Sequence, residues 1–187
     1  MQSPIDLSSR ARSDADIAIK LLGYGQATKA PLEDGFETET NWDTDFDEVW
    51  AETAMLYRRN SEGEVRSYRP LGLHIHTPSE HTINGRLLDA ELHIVHSDDD
   101  GNLAVVGIFF DRHAGYYDND FIETIFGAFD TRDEAENDKK AVDLTKLLNY
   151  NLDTRHIWQY EGSLTTPPCS EGVAWNVVAQ AQGISTE

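Results

Sequence analysis

Sulfur and positive charge are both scarce in this chain. Its 187 residues include one cysteine, Cys169, which excludes an internal disulfide framework and any multi-cysteine zinc or iron–sulfur site. The lone thiol leaves two readings open: a buried apolar residue in a reducing compartment, or the partner of a cysteine outside this chain. Lysine and arginine number 15 against 34 aspartates and glutamates, for a formal charge of −19. Phosphate binding needs a basic face, so nucleic acid is excluded as the main partner. No apolar run approaches the roughly 20 residues that cross a bilayer as a helix, so no membrane span is expected. Met1-Gln2-Ser3-Pro4 has neither the basic nor the apolar part of a targeting peptide. Solenoid repeats and low-complexity stretches are also missing.

Large apolar groups are plentiful: hydrophobic residues make up 39%, with seven Phe, seven Tyr and four Trp. That is more than a disordered chain carries, and the length fits one domain over residues 1–187. The acidic residues cluster at Glu33 to Glu52, Ser97 to Asp100 and Asp130 to Asp138, between more apolar segments, as surface loops do. This acidity reads as a solvated surface, a patch for a basic partner, or adaptation to high salt.

The apolar segments read mostly as strands. Leu71 to His76, Ala90 to His96, Leu103 to Phe110 and Gly172 to Val178 are short, rich in Val, Ile, Leu and aromatics, and bounded by turn residues. Asn84-Gly85 has the side chains a tight turn favours. Two stretches read as helices, Asp118 to Phe129 and Ala141 to Tyr150. With no βαβ rhythm, the expectation is a mostly β domain with short peripheral helices.

The histidines carry the chemistry. His74-Ile75-His76 places two imidazoles on one face of a strand, and His93 sits in a second strand beside Glu91 and Val95. Adjacent strands would bring the three rings together. Three neutral nitrogens with one open position form the ligand set of a catalytic zinc, whereas a structural zinc closes with a fourth protein ligand. Glu91, on the face of His93, is placed to accept that ring's other N–H. A His-x-His pair on its own reads equally as two exposed or core histidines.

Longer motifs surround these residues. Residues 74 to 85 read His-Ile-His-Thr-Pro-Ser-Glu-His-Thr-Ile-Asn-Gly, followed by Glu91-Leu92-His93-Ile94-Val95-His96. Gln2-Ser3-Pro4-Ile5-Asp6, Ala104 to Phe109, and Gly162-Ser163-Leu164-Thr165-Thr166-Pro167-Pro168-Cys169 with Glu171 and Trp175 complete the set. In this order they resemble the α-class carbonic anhydrases, in the form common in plant, algal and bacterial members.

The resemblance implies a large twisted, mainly antiparallel central sheet with zinc at the bottom of a cleft. It implies His74, His76 and His93 as Zn²⁺ ligands and a zinc-bound hydroxide that hydrates CO₂ to bicarbonate. Thr165 would orient that hydroxide and Glu80 would accept the threonine's proton. Val95, Val105, Leu164, Val173 and Trp175 would form the apolar CO₂ pocket, with Thr166 at its edge. His81 would be a buried hydrogen-bonded support and His96 a structural residue; His113 and His156 fall outside the motifs and are expected to be exposed.

Three departures from the family stand out. Phe36 holds the place where a histidine commonly carries protons to solvent, so proton transfer is expected to limit turnover. Gly72 stands where a glutamine usually accepts from the first ligand ring, a loss that costs ~10–100-fold in metal affinity or activity. Both ends are short against the family, which reads as a processed or truncated piece, a reduced variant, or one part of an assembly whose protein partners cover the sheet edges or acidic loops. In secreted relatives the position of Cys169 often pairs with a cysteine before Gln-Ser-Pro-Ile, which leans the compartment toward secreted or organelle-lumenal. The expected activity is that of a zinc carbonate dehydratase. The alternative is a weak or inactive module with a structural or binding role in a larger assembly.

Overall fold

The computed structural model describes residues 1–8, 19–22, 30–31, 36–37, 41–45, 54–59, 62–114, 119, 121–122, 141–142 and 152–185. Fourteen strands occur among them. They are β1 (Asp6–Leu7), β2 (Ile19–Leu22), β3 (Ala30–Pro31), β4 (Phe36–Glu37), β5 (Asn41–Asp45), β6 (Met55–Arg59) and β7 (Val65–His76). Then follow β8 (Thr82–Ile83), β9 (Arg86–Leu87), β10 (Ala90–Ser97), β11 (Leu103–Asp111), β12 (Ala141–Val142), β13 (Ile157–Ser163) and β14 (Glu171–Gly183). The main sheet runs β13-β14-β11-β10-β7-β5-β4, with β6 on the N-terminal half of β7 and β2 on β6. All its pairings are antiparallel except β11 with β14. β1 pairs in parallel with β8, and β8 pairs with β9. Among the described residues no helix is long and apolar enough to cross a membrane.

The sheet buries both faces. One layer holds Leu73, Ile75, Leu92, Ile94, Val106, Ile108, Phe110 and Phe121; the other holds Val105, Phe109, Trp158, Val173, Trp175 and Val177. Strands apolar on both sides read as continuous hydrophobic runs, which is how β10, β11 and β14 look in sequence.

All four expected strands form, and each is longer than its apolar run. β7 reaches back to Val65 through Pro70, a residue that would ordinarily end a strand. Between Gly72↔Val95 and Pro70↔His96, β7 has one extra residue, Leu71, which is bulged and 46% exposed. The bulge switches the parity of the strand. Tyr68 faces the layer of Leu73 and Ile75, while His74 and His76 turn to the opposite layer. Asn84 and Gly85 form the tight turn between β8 and β9, both with positive φ, 51° and 77°.

The helical expectations fare differently. Phe121 and Ile122 are helical and buried, with Asn119 Oδ1 accepting their amides; the rest of Asp118 to Phe129 lies outside the described residues. Ala141–Val142 is a strand paired with Ala30–Pro31, so the helix expected from Ala141 does not start there. A strand partner some 110 positions away overrides local helix propensity, and sequence spacing does not reveal it. The remainder of Ala141 to Tyr150 lies outside the described residues.

Candidate metal centre

Register assembles this site. In the β7–β10 ladder His74 lies opposite His93, and His76 lies opposite Glu91. The side-chain period of two puts all four on one face, while Ile75, Leu92 and Ile94 enter the other layer. The imidazole centroids of His74, His76 and His93 lie 4.8 to 5.0 Å apart. One potential ligand atom from each ring lies within 4.8 Å of the other two. His74 Nε2 and His93 Nδ1 are 3.1 Å apart, close to the ~3.3 Å that a tetrahedral ion with ~2.0–2.1 Å bonds sets between its ligand atoms.

The rings are electrically suited to a cation. Burial, then the neighbouring imidazoles, pulls the pKa of His74 down to about 2 and that of His76 to about 4. Both are therefore neutral at physiological pH with a lone pair available. His93 is 1% exposed, and its Nε2 lies 2.9 Å from Glu91 Oε1, leaving Nδ1 turned toward His74. The donor set, the spacing and the neutral state fit a divalent ion such as zinc.

Glu91 is wholly buried and fully engaged. Its Oε2 accepts the backbone N–H of Glu80 at 3.0 Å and of His81 at 2.9 Å, and Oε1 accepts His81 Nδ1–H at 2.7 Å. Burial alone would raise its pKa, but His93 and His81 beside it hold the carboxyl below the usual range. Gly107, opposite His93 on β11, makes room for it. A Cβ there would lie 3.1 Å from Glu91 Oε1 and 3.3 Å from a Val177 methyl.

His81 is not a member of the three-ring group; it packs at 4.8 Å against Trp175 and supports Glu91 from behind. Its Nε2 lies 2.6 Å from Tyr160 OH, which lies 2.9 Å from Ser3 Oγ. Spacing pointed to neither Tyr160 nor Ser3 as part of the site, because 79 and 157 positions separate these partners. The Gln2-Ser3-Pro4 motif was the one available signal for Ser3.

Glu80 Oε2 lies 3.3 Å from His76 Nε2 and 3.9 Å from His93 Nδ1. Thr165 is half-buried in the turn from Leu164 to Ser170, closed by Leu164 N–H to Ser170 O at 2.9 Å and Cys169 N–H to Thr166 O at 2.9 Å. No hydrogen bond joins Thr165 to Glu80 among the described residues. Val95, Val105, Leu164, Val173 and Trp175 all fall in one apolar cluster, and the Trp175 ring lies 4.8 Å from His93. Thr166 is exposed at the turn, and Cys169 is half-buried and free.

His96 is wholly buried, as expected of a structural residue. His113 is exposed, and His156 is half-buried with Nδ1 2.5 Å from Asp153. Gly72 pairs with Val95 on one side and Asp45 on the other, and offers no side chain to His74. Phe36 pairs with Asp43, and Asp43 with His74, which sets Phe36 two strands from the histidine at the matching backbone register.

The comparisons with known proteins agree with this geometry. Residues 1–187 match the eukaryotic-type carbonic anhydrase family. Alpha carbonic anhydrase 2 of Arabidopsis thaliana is 42% identical over 116 residues, 59% of this chain and 44% of that protein. Alpha carbonic anhydrase 4 of the same plant is 31% identical over 186 residues, 100% of this chain and 63% of its own length. The α-carbonic anhydrase from Thermovibrio ammonificans, solved with the inhibitor sulfanilamide, superposes with a TM-score of 0.73 at 28% identity, over 99% of this chain and 74% of that one. This chain thus spans less than two thirds of these two plant relatives. With a match that runs from end to end and a shared sheet beneath it, the chain belongs to the eukaryotic-type carbonic anhydrase family.

Proposed function

We propose that this protein catalyses the reversible hydration of CO₂ to bicarbonate and a proton, with zinc held by His74, His76 and His93. The observation that carries this reading is the convergence of three imidazole nitrogens, all within 4.8 Å, beside an apolar wall. When bound, the zinc ion supplies the Lewis acidity that brings a water's pKa to about 7, so that a nucleophile exists at neutral pH.

The chain's own residues do the rest. Burial keeps the imidazoles of His74 and His76 unprotonated, so protons do not compete for their lone pairs. Glu91 Oε1 lies 2.9 Å from His93 Nε2 and would accept that ring's proton once the ring turns to donate it. Thr165 and Glu80 are the pair that would orient the attacking oxygen, Thr165 accepting from it and donating to Glu80 once the two side chains, which share no hydrogen bond in the structure, close on each other. Val95, Val105, Leu164, Val173 and Trp175 hold CO₂, which has no charge and no net dipole, by dispersion and by excluding water. Thr166 offers a polar edge to the bicarbonate.

Regeneration of the nucleophile is the weak step. Phenylalanine does not titrate, so with Phe36 in place of a proton carrier the proton leaves through buffer, water, or Glu33, Asp34 or Glu37. Zinc analysis combined with stopped-flow CO₂ hydration tests the whole reading. One zinc per chain and hydration abolished by a sulfonamide are the expected results. Stoichiometric zinc without hydration would instead make this a non-catalytic module for a larger assembly.

A further inference from the structure

On the face of the sheet opposite the three imidazoles, a positive charge is buried beside a second positive charge. Leu56 of β6 lies opposite Tyr68 of β7, and both side chains enter the layer of Leu73 and Ile75. Two residues along each strand, on that same face, Arg58 lies opposite Arg66. Arg58 is 8% exposed, while Arg66 stands at the surface. Like charges directly opposite one another destabilise a strand pair. Carboxylates are plentiful in a chain of net charge −19, yet among the described residues none forms an ion pair with either guanidinium.

One of the five N–H groups of Arg58 has a partner. Its Nε–H donates to Asn176 Oδ1 at 3.1 Å, across 118 positions, and this holds the head of the side chain against β14. Asn176 has nothing further to offer. Its Oδ1 also accepts Gln159 Nε2–H at 2.8 Å, and its Nδ2 donates to the carbonyls of Ala174 at 2.9 Å and Val105 at 3.2 Å. Glu161, whose charge reaches Arg58, makes no ion pair with it. Burial opposes the charge on Arg58 more than any neighbour does, and Arg66 opposes it further. Arginine stays charged all the same. A guanidinium this enclosed, with its terminal nitrogens facing no acceptor among the described residues, carries a desolvation cost that a fitted anion would offset.

We propose that Arg58 and Arg66 hold a small planar oxyanion of carboxylate shape, its two oxygens on the Nη1–Nη2 edge of Arg58 and its charge shared with Arg66. With Nε–H committed to Asn176, that edge is the one left to give two parallel N–H bonds, the geometry that matches a carboxylate. Arg58 is too enclosed for a bulky ligand, and the exposed Arg66 marks the side from which a small free anion enters. Acetate, formate and bicarbonate share the required shape. Bicarbonate is also the product in the reading given above, but the site stands whether or not the metal centre hydrates CO₂.

The readout is the Nε–H resonance of Arg58 in the full chain, identified by its loss in Arg58→Lys. An anion at the three imidazoles lies on the other face of the sheet and does not touch it. At constant ionic strength, sodium acetate and sodium bicarbonate should each shift this resonance saturably, and sodium chloride should not. Arg66→Gln, at an exposed position, should weaken acetate binding roughly tenfold, about what one charge-assisted contact contributes. In the chelator-treated chain, acetate should raise the thermal midpoint above its value in chloride. Arg58→Lys keeps the charge but loses the planar edge, and should abolish that rise.

An Arg58 resonance that ignores acetate overturns the proposal. So does an equal shift with chloride, which would be a diffuse ionic effect, or an unchanged acetate affinity in Arg66→Gln. Should Arg58→Lys fail to fold, the Arg66→Gln titration decides alone. A chain that binds acetate here but hydrates no CO₂ removes the functional reading and leaves this one standing.

Discussion

A histidine must be neutral to bind a metal, and burial supplies that condition at His74 and His76 before any ion arrives. The same burial has a cost in acid, most cleanly visible at His96, which lies on the other face of β10 from His93. Burial pulls the His96 pKa from 6.5 down to about 4. The unfolded chain takes up this proton near pH 6.5 and the folded chain only near 4. The stability held by the neutral ring is therefore complete above pH 6.5 and is lost as the pH falls toward 4. That gap corresponds to on the order of 3 kcal/mol. Urea unfolding of the metal-free chain at stepped pH should show this loss, and His96→Gln should flatten it. An unchanged slope in the variant would assign the acid sensitivity to other groups.

Phe36 supplies the second prediction at this scale. Turnover should rise with imidazole concentration, and Phe36→His should make it largely buffer-independent, with a gain on the order of tenfold or more at low buffer. Stopped-flow hydration across a buffer series reads both. A wild-type rate independent of buffer would show that attack on CO₂, and not proton removal, limits the reaction.

Strands, not single residues, place the three histidines. A one-residue slip between β7 and β10 would send His74 and His76 into the apolar layer of Leu73 and Ile75. The bulge at Leu71 guards that register by letting Tyr68 and Leu73 face the same layer although their numbers differ in parity. Gly107 is the matching feature on β11. Gly107→Ala would press a methyl against Glu91 Oε1 at 3.1 Å and against Val177 at 3.3 Å. We expect a stability loss of about 1–3 kcal/mol by urea unfolding, as overpacking costs, together with faster zinc release. A stable variant with normal zinc retention would show that Glu91 has room to spare.

Element by element, legibility in the sequence followed burial. β10, β11 and β14 announced themselves as apolar runs because both of their faces are covered. The first half of β7 did not, because Arg66 and Arg69 face solvent and Pro70 looks like a stop. β12 escaped because a two-residue strand takes its identity from its partner β3.

Across the whole molecule, the two apolar layers make the sheet rigid, and the N-terminal segment ties its far edge to the site through Ser3, Ser163 and Tyr160. Metal bound only by the folded chain should add to this stability by mass action, about 4 kcal/mol at a thousandfold excess over the dissociation constant. Removing zinc with a chelator should therefore lower the thermal midpoint, and restoring zinc should return it. An identical midpoint with and without the ion would mean the three rings hold no metal in the native state.

The amino-acid sequence by itself determined the candidate histidines, the β-rich class and the family. Ligand chemistry resides in residue type, a strand's two-residue period follows from backbone geometry, and motif order survives in one dimension. Tertiary structure alone decided that His81 stands behind Glu91 and outside the three-ring group, that Tyr160 and Ser3 stand behind His81, and that Gly107 and Gly162 are empty so that others fit. Those facts depend on which atoms meet across strands far apart in the chain. Such meetings are set by register and packing, which leave no local mark on the sequence.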